Sequence, residues 1–244
     1  MFKEYLEPYR DIITENNPNS GICFDGAVSP DDYFTREHRL MFLLKETNGN
    51  NNNGERNDVL ADWDYMEWVR MQTAQSEPLY RSVFRNIAMW ARMFTIFTEE
   101  DRQPAVSELI DKNGLIIDKT LCGSLQNIAI VNLKKSWGVE QTDWYQMKAY
   151  LESDNQRMEI LLHQVDVLKP TIVLCGGTFD FAQSIFGNAD CVKETVSDDQ
   201  KIRYFDHNST VFVECYHPSR PGWSRVNSFN YVNNIFKHFH NKGL

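Results

Sequence analysis

The sequence predicts a three-layer α/β/α fold around a mostly parallel central sheet. Short, continuously apolar runs, Leu40-Met41-Phe42-Leu43-Leu44, Ile128-Ala129-Ile130-Val131 and Ile172-Val173-Leu174-Cys175, are each bounded by polar residues. Strands covered on both faces read in this way. Between the runs lie longer segments with apolar residues at helical spacing, so strand and helix alternate along the chain. Each run also ends in polar side chains or glycines, and open α/β sheets bind ligands at the carboxyl ends of their strands.

In chain order, Phe2, Tyr5, Leu6, Tyr9, Ile12 and Ile13 recur at helical spacing and predict a first helix, broken by Asn17-Pro18-Asn19-Ser20-Gly21. Ser29-Pro30-Asp31-Asp32 has the composition of a helix start. The first buried strand then runs into Lys45-Glu46-Thr47-Asn48-Gly49 and the polar stretch Asn50 to Gly54. A carboxylate directly after a strand suits chemistry; the same residues also suit a turn or helix cap. Residues 58 to 70 and 78 to 98 read as helices. The aromatics of the second are expected in the core, leaving Trp63, Tyr65, Trp68 and Tyr80 as candidate stacking platforms. Gln103 to Ile110 predicts a short helix and Asn113-Gly114 a turn.

The second strand, Asn127 to Val131, delivers Asn132, Lys134 and Lys135. Thr142-Asp143 then starts one long helix with Trp144, Met147, Leu151, Met158, Leu162 and Val165 on a single face. After Pro170 the third strand enters a helix through Gly176-Gly177-Thr178. Such a turn can receive an anion or simply pack helix tightly on strand. Ile202 to Phe205 and Thr210 to Cys215 read as paired strands, turned at Asp206-His207-Asn208-Ser209. The second of them presents His217-Pro218-Ser219-Arg220-Pro221-Gly222. Pro218 cannot continue a strand, so one imidazole is held at the sheet edge beside a hydroxyl and a guanidinium. A loop histidine satisfied by a backbone carbonyl fits the same pattern. The final helix carries Phe229, Val232, Ile235, Phe236 and Phe239.

With 244 residues, including 15 Phe, 10 Tyr and 6 Trp, the chain can bury a sizeable core. Neither a repeat nor a linker-like composition divides it. One domain over 1–244 is expected, with an N-terminal helix and a polar insertion around 46–58. No run of 18 apolar residues exists, and the first residues lack the apolar stretch of a signal peptide, so a cytoplasmic location without membrane contact is expected. The five cysteines are odd in number and form no Cys-x-x-Cys pair. His38, His163, His207, His238 and His240 also lack ligand spacing, so no metal site is expected. A net charge of −9 disfavours broad attraction to nucleic acid while leaving room for a local basic groove.

Four strand ends together resemble the uracil-DNA glycosylase superfamily, in particular its small bacterial and archaeal branches. Lys45-Glu46-Thr47-Asn48-Gly49 stands where those proteins carry Gly-Glu-Ala-Pro-Gly. Asn132-Leu133-Lys134-Lys135 is similar to their Asn-x-x-Lys segment. Leu168-Lys169-Pro170 through Gly176-Gly177-Thr178 is similar to their Leu-x-Pro-x-(apolar)-Gly, and His217-Pro218-Ser219 to their His-Pro-(Ser/Ala). The resemblance spans roughly residues 38 to 240. It departs at Lys45 and Asn48, at the iron–sulfur cysteines of one branch, and at the Pro-Phe carrying the base-stacking ring, whose nearest counterpart is Pro78-Leu79-Tyr80.

The resemblance implies hydrolysis of the N-glycosidic bond of uracil or another deaminated base in DNA, as in base excision repair. Glu46 and His217 would be catalytic, and Asn132 and Tyr80 would recognise the base. Lys134, Lys135 and Arg220 would contact phosphates, with Ser219, Gly176, Gly177 and Thr178 touching the DNA backbone. Neither metal nor organic cofactor is implied. The partner would be single- or double-stranded DNA and the protein a monomer. The competing expectation is a glycosylase-fold protein that binds nucleic acid or nucleotide without cleaving it. A third is a flavodoxin-like protein holding a phosphorylated small molecule at Gly176-Gly177-Thr178.

Overall fold

The structure, a computed structural model, describes residues 2–14, 21–46, 62–74, 82–111, 121–136, 143–187, 190–197 and 199–243. Its strands are β1 (Cys23–Phe24), β2 (Gly26–Ala27), β3 (Leu40–Leu44), β4 (Trp63–Asp64), β5 (Ile128–Asn132), β6 (Ile172–Gly176), β7 (Val192–Ser197), β8 (Gln200–His207) and β9 (Thr210–Cys215). Its helices are α1 (Phe2–Leu6), α2 (Arg10–Ile13), α3 (Pro30–Phe34), α4 (Tyr65–Ala74), α5 (Ser82–Glu99), α6 (Val106–Leu109), α7 (Trp144–Glu152), α8 (Asn155–Leu168), α9 (Phe179–Ile185) and α10 (Arg225–His240).

The main sheet has the order β2-β5-β3-β6-β9-β8-β7. Its centre, β5-β3-β6-β9, is parallel throughout, while β2, β8 and β7 add antiparallel strands at the two edges. The apolar runs read from the sequence are those central strands, and β3, β5 and β6 are buried along their whole length. Period-two alternation divides their side chains between two cores. Leu40, Phe42, Ile130, Leu174 and Val213 pack with α4, α5 and α10, where Phe42 stacks on Trp90 at 6.1 Å. Met41, Leu43, Val131, Val173 and Phe212 pack with α7, α8 and α9 on the other face. Each fully buried side chain of this size contributes about 1.5–3 kcal/mol.

The register sets up the functional edge. Leu44 pairs with Asn132, and Gly176 with Cys215, with Leu43 opposite Cys175, so all four parallel strands end level. From β3 the chain moves to β5 on one side, then crosses back to β6 on the other. The carboxyl ends of β3 and β6 therefore flank a topological switch point, where α/β sheets open a crevice.

Several elements differ from the sequence reading. The N-terminal helix is interrupted by a 3-10 turn at Glu7–Tyr9, because Pro8 supplies no N–H to continue the α pattern. The long helix expected from Thr142-Asp143 is two helices. Asp154 caps the second by accepting the Gln156 N–H at 2.9 Å, which ends the first at Glu152. The helix expected over 58–70 begins only at Tyr65, where the Asp64 carboxylate accepts the Glu67 N–H at 2.7 Å; residues 58–61 lie outside the described residues. Trp63 and Asp64 instead pair with β1. Strand β7 and the 3-10 segment Leu121–Asn127 were not anticipated. Among the described residues no helix is long and apolar enough to cross a membrane.

Candidate functional site

The level strand ends bring His217 close to the end of β6. Gly176 makes this approach feasible: a Cβ there would lie 2.7 Å from Leu44 Cδ2, 3.3 Å from Pro218 Cδ and 3.7 Å from His217 Cα. Gly177 follows at φ +72°, and its N–H donates to the Cys215 carbonyl at 2.9 Å, tying the turn after β6 to the end of β9. Asn86, on α5, donates its side-chain N–H to the Pro218 carbonyl. The Arg220 N–H donates to the His217 carbonyl at 2.9 Å and closes the loop.

The protonation state of His217 follows from its neighbours. The Ser219 backbone N–H donates to Nδ1 at 3.2 Å, so Nδ1 must be an acceptor. The Ser219 hydroxyl lies 2.7 Å from the same nitrogen and donates as well. The neutral ring therefore carries its proton on Nε2. Burial, reinforced by the Lys45 ammonium, holds the imidazole below its usual pKa, so the ring is neutral at pH 7. An NMR titration of His217 should give a midpoint below 6.5, the ordinary value. A midpoint at or above it would show that the ring is not desolvated.

At the end of β5 the side chains form a closed polar knot. Asp25, between β1 and β2, is 1 % exposed, and Asn132 is equally buried. Asp25 Oδ2 accepts the Asn132 backbone N–H at 2.6 Å and its Nδ2 at 3.1 Å. Lys135 Nζ donates to both Asp25 oxygens at 2.9 Å and to the Asn132 carbonyl at 2.6 Å. Gln164, on α8, donates to Asp25 Oδ1 at 3.0 Å. This corrects the expectation for Lys135: its ammonium is buried and spent on Asp25, so it cannot meet a phosphate. Burial pushes it below the usual lysine value although Asp25 pulls the other way.

The remaining expected residues divide. Glu46 is half-buried two residues beyond β3, at the same edge as Asn132 and His217. Lys134 is half-buried with Nζ 5.2 Å from the Tyr150 ring centre, and its N–H continues the β3–β5 pairing to the Lys45 carbonyl. The Thr178 hydroxyl is buried and donates to the Leu43 carbonyl at 2.7 Å, so it locks the crevice rather than facing a ligand. The anion-receiving turn expected at Gly176-Gly177-Thr178 leads into α9, only 7 residues long; close packing explains Gly176 and the positive φ explains Gly177. Ser219 orients His217, and the guanidinium carbon of the exposed Arg220 lies over the Tyr216 and Trp223 rings, 3.6 and 4.4 Å from their centres. Tyr80 and Thr47-Asn48-Gly49 lie outside the described residues.

A groove of about 750 Å³ opens beside His217 and Gly177, over the ends of β8 and β9; Glu46 and Asn132 are not among its lining residues. Its aromatic walls include Trp144 and Tyr216, 41 % and 44 % exposed. These rings, each already covered in part by Phe181 or Arg220, are the partly exposed aromatics of the groove; Tyr65 is buried, and Trp63 and Trp68 pack against the core. Asn227, Asn230 and Asn234 line the groove from one face of α10. Arg203, within the groove, is paired with Glu214 at 2.7 Å and Asp180 at 3.0 Å. Among the described residues no group of three or more His, Cys, Asp or Glu could hold a metal. Comparison of the chain with protein-family models and with curated proteins gives no match.

Proposed function

We propose that the chain is a DNA glycosylase with a uracil-DNA glycosylase-like fold, hydrolysing the N-glycosidic bond of uracil or another deaminated base in DNA. The observation that carries this reading is His217, a neutral imidazole with its proton on Nε2, fixed by Ser219 at the sheet edge that also bears Glu46 and Asn132. When the bond from C1′ to the base nitrogen breaks, the base leaves with the electron pair. A neutral N–H donor stabilises the charge that develops there. Glu46 stabilises the cation-like sugar or activates the water that adds at C1′. Asn132 reads the edge of a base drawn out of the stack. Neighbouring bases of the strand stack on Tyr216 and Trp144 in the adjoining groove.

The deciding experiment is incubation of purified protein with uracil-containing single- and double-stranded oligonucleotides, followed by scoring of abasic sites. Hypoxanthine and xanthine substrates complete the panel. Cleavage above a His217→Ala background is the expected result. If no base is released while DNA is still bound, the protein is a non-cleaving binder.

With Lys135 internal, Lys134 and Arg220 remain as phosphate contacts. Lys134→Ala should weaken binding to all sequences alike and reduce the slope of log K against log salt by roughly one. A sequence-dependent loss would remove Lys134 from that role.

A further inference from the structure

We infer that Asn86 is a positioning residue: by tying the Pro218 carbonyl to α5 it fixes where the Nε2–H of His217 points. The inference rests on the reading of His217 as the donor to the departing base. Pro218 offers a carbonyl and no N–H, so the Asn86 atom bonded to it is Nδ2. Asn86 Oδ1 is then left buried without a hydrogen-bond partner among the described residues. Stranding that acceptor costs stability, so the amide is poorly explained as a stabiliser of α5. What it supplies is a fixed position for the Pro218 carbonyl.

Among the described residues, the other hydrogen bonds of the loop from His217 to Arg220 run within it. Ser219 holds Nδ1 through its N–H and its hydroxyl, and the Arg220 N–H holds the His217 carbonyl. These bonds fix the ring within the loop but leave the loop free against the sheet. The close contact of Pro218 with Gly176 resists compression, and the Asn86 bond resists separation. Asn86 is itself well anchored through Trp90, four residues on and on the same face of α5. The Trp90 indole N–H donates to the Ser228 hydroxyl at 3.1 Å, and its ring stacks on Phe42 of β3. The amide thus carries the rigidity of the core, through α5, to the imidazole.

A donor to a developing charge works only when it is already in place. Misplacing such a group by about 1 Å costs about a hundredfold in rate. Without the Asn86 N–H, the carbonyl of the buried Pro218 must find water, and the loop leaves α5 to reach it. The imidazole then moves with the loop, away from the base and into solvent.

The test is Asn86→Leu, which keeps the branched shape of the side chain and removes both the donor and the stranded acceptor. Single-turnover cleavage of a uracil-containing single strand should slow by about tenfold or more, with affinity for that strand unchanged. The more solvated imidazole should titrate closer to its ordinary 6.5 than in the wild type, as read from its ring ¹⁵N resonances. Should the leucine variant fold poorly, Asn86→Ala is read in the same way. Lower stability in urea with both readouts unmoved would make Asn86 merely structural and overturn the inference. Either readout unmoved in a protein that cleaves would overturn it too. If the wild type cleaves no substrate, the glycosylase reading falls and the His217 midpoint alone decides. A rise then upholds the positioning role, and no change overturns it.

Discussion

His217→Ala should lower turnover on uracil-containing DNA by roughly a hundredfold or more, the loss seen when one preorganised donor to a developing anion is removed. Affinity for the same DNA should scarcely change, because the intact base carries little of the charge that the Nε2–H stabilises. Single-turnover rates and equilibrium binding, measured on one batch of protein, separate the two quantities. The effect on folding should be small: the ring is only half-buried, and Ser219 is its side-chain hydrogen-bond partner. The Asn86 bond to Pro218 and the close contact at Gly176 hold the loop without the imidazole. Equal losses of rate and affinity would make His217 an ordinary groove residue and favour the non-cleaving binder.

The sheet was legible because β3, β5 and β6 are covered on both faces, and such strands declare themselves as unbroken apolar runs. Their ends were legible for the same reason, since the polar residue that stops each run is the residue delivered to the edge. What escaped was decided by contacts across long sequence distances. Lys134 and Lys135 are adjacent and chemically alike, and only the partner Asp25, 110 positions away from Lys135, separates a half-buried residue from an internal one. Asp25 left one local clue, a lone carboxylate inside Ile22-Cys23-Phe24-Asp25-Gly26-Ala27-Val28, where every neighbour is buried. A charge in such surroundings is buried and paired. Asn86 is one of several polar residues along α5, next to Arg85, and nothing local says that Pro218 needs its N–H. Helical spacing puts Trp144 on one continuous face with Met158 and Leu162, but the break at Ser153-Asp154 separates α7 from α8, and the ring stacks on Phe181 with 41 % of its residue exposed.

The second large effect is on stability. Lys135→Met should cost about 3–5 kcal/mol, the usual result of removing one member of a buried ion pair. The pair is fully internal, with side-chain exposures of 2 % for Lys135 and 0 % for Asp25, so solvent screening does not soften the loss. Methionine fills much of the lysine volume, and the deficit therefore reports the stranded Asp25 carboxylate rather than a cavity. Adding Asp25→Asn removes that charge and keeps an acceptor for the Asn132 N–H, which Asp25 now receives at 2.6 Å. The double variant should regain most of the loss, because desolvation of Lys135 already outweighs its attraction to Asp25, as the direction of its pKa shift records. Urea denaturation at unchanged m-value measures both. A single variant as stable as the wild type would mean that Asp25 has another charge partner. A double variant no better than the single would mean that the charges themselves, and not only the hydrogen bonds, hold the end of β5 in place.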